Sequence, residues 1–232
     1  MHVTAIVPAA GGGTRLAAPL PKQYLPLLGV PMLARTLQAL RSSRRVDSLI
    51  LVVPPGQETR CSAEILEPFG LDGGPVVPGG ADRQASVYAG LLQAPTATDL
   101  ILVHDGARPL ITAALIQAVV AAAAEVGAAV VAVPVTDTIK VADSHGRVAE
   151  TPPRGRLWAA QTPQVFRASL FRAAHEAALR DGFRGTDDSG LVERLGHPVL
   201  IVPGSPENIK ITTTADLVLA DQILRARAAR LG

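Results

Sequence analysis

A single cysteine, Cys61, stands in a chain of 232 residues, which excludes an intramolecular disulfide and any thiolate zinc cluster. Aromatic residues make up only 3% of the chain, too few for base-stacking platforms, so nucleic acid is not an expected partner. The five histidines never fall in ligand spacing with acidic partners, and a structural metal is not expected. No run approaches eighteen consecutive strongly apolar residues without charge or proline, and a basic segment followed by an apolar stretch and a small-residue cleavage site is missing from the N-terminus. These absences predict a cytoplasmic protein with no membrane contact. Lysine is scarce as well. It occurs only at Lys22, Lys140 and Lys210, so arginine carries nearly all of the positive charge.

What remains is a globular composition, 48% apolar and 18% charged, at a length that suits one large α/β domain spanning 1–232. Apolar runs of strand length recur at Thr4 to Pro8, Ser48 to Val53, Leu100 to His104, Ala128 to Val133 and Val199 to Val202. Segments with helical spacing fall at Met32 to Leu40, Ser62 to Leu66, Gln84 to Leu92, Ala113 to Val126, Ser169 to Leu179 and Leu217 to Ala228. Continuous apolar strands alternating with helices predict a Rossmann-like, doubly wound, mostly parallel sheet covered on both faces. Ligands in such sheets bind at the carboxyl ends of the strands. One stretch breaks the alternation: residues 135–157 read as two short period-two runs, TIKVAD and GRVAET, joined by DSHG. A lone ribbon is marginal in water, so this hairpin arm is expected to pack against a second subunit, with an edge hairpin lying on its own domain as the alternative.

The strand ends carry the chemistry. After the first strand, PAAGGGTRL offers Gly11, Gly12 and Gly13, where backbone N–H groups can approach an anion. No Gly-Lys-Ser/Thr follows, so it is not a P-loop, and Leu16 stands where a dinucleotide fingerprint needs glycine. Arg15 and Lys22 bracket a proline-rich turn beside these glycines. The run LILVH ends in DGARP, which puts Asp105 at the carboxyl edge of a strand, where one carboxylate can hold Mg²⁺ if substrate phosphates complete the shell. His104 beside it is expected to be a packed or hydrogen-bonded strand residue. Arg108 is a candidate anion clamp. Arg83 and Ser86 in GGADRQASV, Arg154 in RGRLWAAQTPQVF and Lys210 in NIKITTTADL add cations and donors after further strands. A polyanionic ligand accounts for all of them together. With no G-x-S-x-G elbow and one ordinary cysteine, the expected work is electrostatic, on phosphate.

The motifs PAAGGGTRL…PKQYLPL, GGADRQASV, LVHDGARP, RGRLWAAQTPQVF, GTDDSGLVE and NIKIT, in this order, resemble those of the 2-C-methyl-D-erythritol 4-phosphate cytidylyltransferases of non-mevalonate isoprenoid biosynthesis. The resemblance runs from the first strand to the last helix. It implies a Mg²⁺-dependent nucleotidyltransferase that takes CTP and a polyol phosphate and releases pyrophosphate. It further implies that Arg15 and Lys22 act on the α-phosphate and leaving group, that Asp105 holds the metal, and that Ala10, Gly11, Gly80, Ser86 and Gly106 line the cytidine pocket with Lys210 at the triphosphate. Arg108, Thr138, Arg154 and Thr186 would hold the acceptor, with the arm of one subunit of a homodimer completing its partner's site. Two departures touch pocket detail: Ala81 and Asp82 where some relatives carry two acidic residues, and Gly106 where alanine is frequent. A sibling enzyme acting on ribitol 5-phosphate or another polyol phosphate, and a catalytically silent nucleotide-binding module, remain as alternatives.

Overall fold

A computed structural model describes residues 1–11 and 20–230. Its centre is a seven-stranded sheet built from β1 (Val3–Pro8), β4 (Ser48–Val53), β5 (Val76–Pro78), β6 (Leu100–Val103), β7 (Ala128–Pro134), β10 (Trp158–Arg167) and β11 (Leu200–Pro203). The spatial order is β5-β4-β1-β6-β10-β7-β11, and every pairing is parallel except the two made by β10. Two small antiparallel pairs stand apart: β2 (Pro26–Leu27) with β3 (Val30–Pro31), and β8 (Val141–Ala142) with β9 (Val148–Glu150).

Both faces of the sheet are covered, which is why the central strands read as nearly continuous apolar runs. On one face α1 (Met32–Ser42) and α4 (Ala113–Val126) pack Leu33, Leu37, Ile116 and Val119 against Ala5, Val7, Leu51 and Leu102. On the other, α3 (Arg83–Leu92), α5 (Ala168–Arg180) and α6 (Asp188–Arg194) bring Val87, Phe171 and Leu191 against Ile6, Ile50 and Ile101. Each such large side chain taken out of water contributes about 1.5–3 kcal/mol. Alternate residues of β1 therefore belong to different cores. A Cβ at Gly90 would stand 2.6 Å from Ile6 Cγ2, so this glycine lets α3 lie close on the sheet with its first turn over the strand ends. A third cluster seats α7 (Thr214–Ala229) through Ala220 against Leu27, Met32 and Ile211; Thr213 and Asp216 close a capping box at its start.

The chain runs from β1 outward through β4 to β5 and then returns to the other side of β1 to form β6. The switch point lies between β1 and β6, and the crevice at their carboxyl ends is where a doubly wound sheet binds its ligand. Several elements differ from the sequence expectation, which had no place for α6 or for the β2–β3 pair. β5, only three residues long, carries too little pattern to read, and the expected helix at 62–66 is a widened helical turn continuing α2 (Glu58–Cys61). β10 is an unexpected antiparallel strand between β6 and β7. It holds Pro163 at a break in register between Ala160 and Gln164, where the ladder tolerates a residue with no N–H.

The expected hairpin is present but shorter, with its turn tied by Asp143 Oδ1, which accepts from the backbone N–H groups of His145 and Arg147. Residues 136–151 are exposed throughout. No helix among the described residues is long and apolar enough to cross a membrane.

Candidate active site

The ends of β1, β4 and β6 are sewn together by backbone bonds: Ala9 N–H to Val52 O at 2.7 Å, Gly79 N–H to Val53 O at 2.7 Å and Gly106 N–H to Pro8 O at 3.2 Å. A Cβ on Gly79 would fall 2.4 Å from Ala10 Cβ and 2.9 Å from Ser86 Oγ, so only glycine allows this closeness. Between these ends opens a cavity of about 340 Å³. Ala10, Gly11, Lys22, Gly80, Ser86, Asp105, Gly106 and Lys210, eight residues scattered from one end of the chain to the other, all line it. Arg15 lies outside the described residues.

Local structure explains why these groups are held. Asp82 caps α3 by accepting from Ala85 N–H at 2.8 Å, and Ser86 Oγ accepts from Gly80 N–H while donating to the Asp82 carbonyl. The Gly80 backbone is thereby fixed at the cavity wall beside the helix start, where unsatisfied N–H groups favour anions. Lys22 occupies a single helical turn between Pro21 and Leu25.

Asp105 is the electrostatic centre. It is 7% exposed, and Lys210 Nζ lies 2.8 Å from Oδ2, Arg83 Nε 3.2 Å from Oδ1 and Arg108 Nε 3.9 Å from Oδ2. Burial by itself would raise its pKa, but Arg83 and Lys210 outweigh that and hold the carboxyl well below the usual carboxylate range. Arg83 also reaches Asp188, with Nη2 2.7 Å from Oδ2. Burial disfavours the Arg83 charge, and the two carboxylates more than restore it. Arg83, Arg108 and Lys210 against Asp105 and Asp188 leave one positive charge in excess, which suits a polyanion.

His104 behaves as a packed residue. It is fully buried, with Nε2 bonded to the Arg108 carbonyl at 3.0 Å and Nδ1 3.0 Å from Thr162 Oγ1, which in turn accepts from Asp105 N–H. A carbonyl only accepts, so Nε2 carries the proton, and Thr162 donates to Nδ1. Burial pushes this imidazole down to about 4, so it serves as a neutral strut under Asp105.

The acceptor residues expected from the sequence are not gathered in this cavity. Arg108 abuts it through Asp105 and donates from Nη1 to the Asn208 carbonyl at 2.7 Å. Thr138 and Arg154 are on the exposed arm, where Arg154 Nη1 donates to the Thr136 carbonyl at 2.6 Å. Thr186 lines a separate depression with Trp158 and Glu193. Asp188 received no role from the sequence, and Arg83 only that of one cation among several. The paired aspartates of GTDDSG were the signal, but only the folded chain brings them to Arg83.

A family model described as 2-C-methyl-D-erythritol 4-phosphate cytidylyltransferase matches residues 3–226. A protein of that name from Pelotomaculum thermopropionicum is 48% identical over 230 residues, covering 99% of this chain and 97% of the relative. The chain belongs to the 2-C-methyl-D-erythritol 4-phosphate cytidylyltransferase family. Solved structures agree. The 4-diphosphocytidyl-2C-methyl-D-erythritol synthase of Anaerococcus prevotii superposes with a TM-score of 0.84 at 32% identity, over 97% of this chain and 98% of that one. The Thermus thermophilus cytidylyltransferase gives 0.78 at 37% identity, over 97% and 100%. The cavity at the switch point is ringed by cations in a chain of this cytidylyltransferase family.

Proposed function

We propose that this chain transfers a cytidylyl group from CTP to 2-C-methyl-D-erythritol 4-phosphate, giving 4-diphosphocytidyl-2-C-methyl-D-erythritol and pyrophosphate. The observation that carries the reading is the convergence of Ala10, Gly11, Lys22, Gly80, Ser86, Asp105, Gly106 and Lys210 on one cavity at the strand ends, in a member of this family. In the reaction an oxygen of the acceptor phosphate attacks the α-phosphorus, and the bond from that phosphorus to its bridging oxygen breaks, with the electron pair leaving on pyrophosphate. The attacking oxygen already carries negative charge at neutral pH, so no general base is required, and the protein's work is alignment and charge neutralisation. Lys22 and Arg15 act on the α-phosphate and the leaving group. Ala10, Gly11, Gly80, Ser86 and Gly106 hold the nucleotide, largely through backbone, and Lys210 turns from Asp105 to the triphosphate.

Magnesium fits as a guest of the nucleotide. Among the described residues no group of three or more His, Cys, Asp or Glu is arranged to hold a metal ion, but Asp105 is an ionised carboxylate on the cavity wall with a cation already at Oδ2. One carboxylate with phosphate oxygens and water suits Mg²⁺, which would neutralise phosphate charge there.

Thr138, Arg154 and Thr186 remain the proposed acceptor contacts together with Arg108. They lie off the cavity within one chain, and residues 136–151 are exposed, which supports a single nucleotidyltransferase domain whose arm, 135–157, completes the site of a second copy in a homodimer. A cytoplasmic location goes with soluble, phosphorylated substrates. The test is a pyrophosphate-release panel of four nucleoside triphosphates against several polyol phosphates. Release confined to CTP with methylerythritol phosphate is expected. Preference for ribitol 5-phosphate supports the sibling activity, and no release with any pair leaves only nucleotide binding.

A further inference from the structure

Lys210 is 38% exposed and held near Asp105 by one ion pair, so a triphosphate entering the cavity offers it more oxygens than it gives up. The same field acts on Arg83, whose Nε donates to Asp105 Oδ1. An arginine anchored by Asp105 alone has two ways to fail: it follows the phosphates, or it turns its whole fork onto Asp105 once Lys210 has left and neutralises it. The structure supplies a second anchor. Asp188, 1% exposed, meets Arg83 Nη2 at 2.7 Å and is not among the residues that line the cavity.

Asp188 is itself immobilised from the sheet. Its neighbour Asp187 caps α6 by accepting from Gly190 N–H, and Asp187 Oδ2 accepts from Gln164 Nε2 at 2.9 Å. Gln164 Oε1 accepts from Ser189 N–H at 2.9 Å, so one buried glutamine grips both sides of Asp188. Gln164 stands on β10 directly opposite Val103 of β6, two residues before Asp105. A closed loop of contacts therefore runs from β6 through β10, the start of α6 and Arg83 back to Asp105.

We propose that Asp188 is a positioning residue for cytidylyl transfer: it divides the Arg83 guanidinium between two carboxylates, so that Asp105 keeps its place and its charge when Lys210 turns to the phosphates. The inference rests on the cytidylyl-transfer reading and deepens it. Neither Lys nor Asn reproduces the bridge, since an ammonium has no planar fork and an amide no charge.

The experiment compares wild type with Asp188→Asn and Arg83→Lys, measuring kcat and KM by pyrophosphate release, CTP affinity by calorimetry, and thermal unfolding. Both variants are expected to lose about 10- to 100-fold in kcat, the range for partners that orient a site from behind, while the CTP dissociation constant stays within about threefold of wild type. A kcat within about threefold of wild type in either folded variant overturns the proposal, as does a loss carried only by weaker CTP binding. If Asp188→Asn does not fold, Arg83→Lys, which keeps the charge, decides alone. Wild-type protein that releases no pyrophosphate overturns the functional reading itself, a result seen before any variant is compared.

Discussion

Asp105→Asn alters one atom and removes the charge on which three cations converge, so its consequence can be worked out cation by cation. Arg83 keeps Asp188 at 2.7 Å, and Lys210, 38% exposed, can turn to water. Arg108, with its side chain 11% exposed, is left with the Asn208 carbonyl as its hydrogen-bond partner. Breaking a fully buried pair costs about 3–5 kcal/mol, and with two of the three cations satisfied elsewhere the expected loss falls to about 1–2 kcal/mol. At roughly 2–4 °C per kcal/mol for a chain of this length, Tm drops by about 2–8 °C. Activity should suffer far more. If Asp105 holds the magnesium as proposed, the variant is expected to fall about 10³-fold in kcat/KM at ordinary magnesium, close to 4 kcal/mol of transition-state stabilisation. Pyrophosphate release across a magnesium titration, beside thermal unfolding of the same preparation, measures both quantities. A variant within tenfold of wild type would refute the reasoning, because Asp105 would then be no more than a counter-ion for its neighbours.

Lys22→Ala is expected to lower kcat by about 10²- to 10³-fold with little change in the calorimetric CTP affinity, because a charge aimed at the transition state adds little in the ground state; near-normal turnover contradicts the assignment. Burial pushes His104 and His175 down to about 4, below the unfolded value of about 6.5, so their contribution is whole above pH 6.5 and disappears as pH falls toward 4, about 2 kcal/mol each by pH 5. Both ring nitrogens of His175 lack partners among the described residues, and His175→Phe should remove about 2 kcal/mol of the stability lost between pH 8 and pH 5; an unchanged acid dependence in denaturant titrations counts against it. Mixing Arg154→Ala with Lys22→Ala subunits should restore activity, since one of the two sites in a mixed dimer recovers both groups, whereas exchanging dimers that stay inactive, or a native protein that sediments as a monomer, show that the arm serves its own chain.

The strands around the cavity were legible because burial on both faces leaves a plain mark: β6 and β7 are apolar throughout, and β1 and β4 carry one polar residue each, Thr4 and Ser48. β10 was not, for a reason tied to the site. Its centre reads Gln161, Thr162, Pro163 and Gln164, a sequence that argues against a central strand. Yet these polar side chains are buried and used. Gln161 donates to the Ser205 carbonyl, Thr162 supports His104 and Asp105, Gln164 clamps the start of α6, and Asn208 donates to the Thr162 carbonyl. A strand that works as a rack for polar side chains loses the periodicity by which strands are read.

The same division explains which cavity residues the sequence brought together. Gly11 and Asp105 follow β1 and β6 within three residues, and Lys22 and Lys210 lie on the longer segments that leave β1 and β11, so all four sit near the carboxyl ends of the sheet. Arg83 and Asp188 are different. In the sequence each is an ordinary residue of a helix's first turn, and an acidic residue there needs no explanation beyond the helix dipole. Only the close seating of α3 permitted by Gly90, together with the clamp of Gln164 on α6, turns them into a bridge 2.7 Å long behind Asp105. The acceptor residues are a third kind. Arg154 bonds to the base of its own arm and Thr138 is exposed, so within one chain no packing rearrangement short of moving the arm carries them to the cavity. If they hold the acceptor, either the arm moves or a second chain brings them, and the mixed-subunit experiment separates the two.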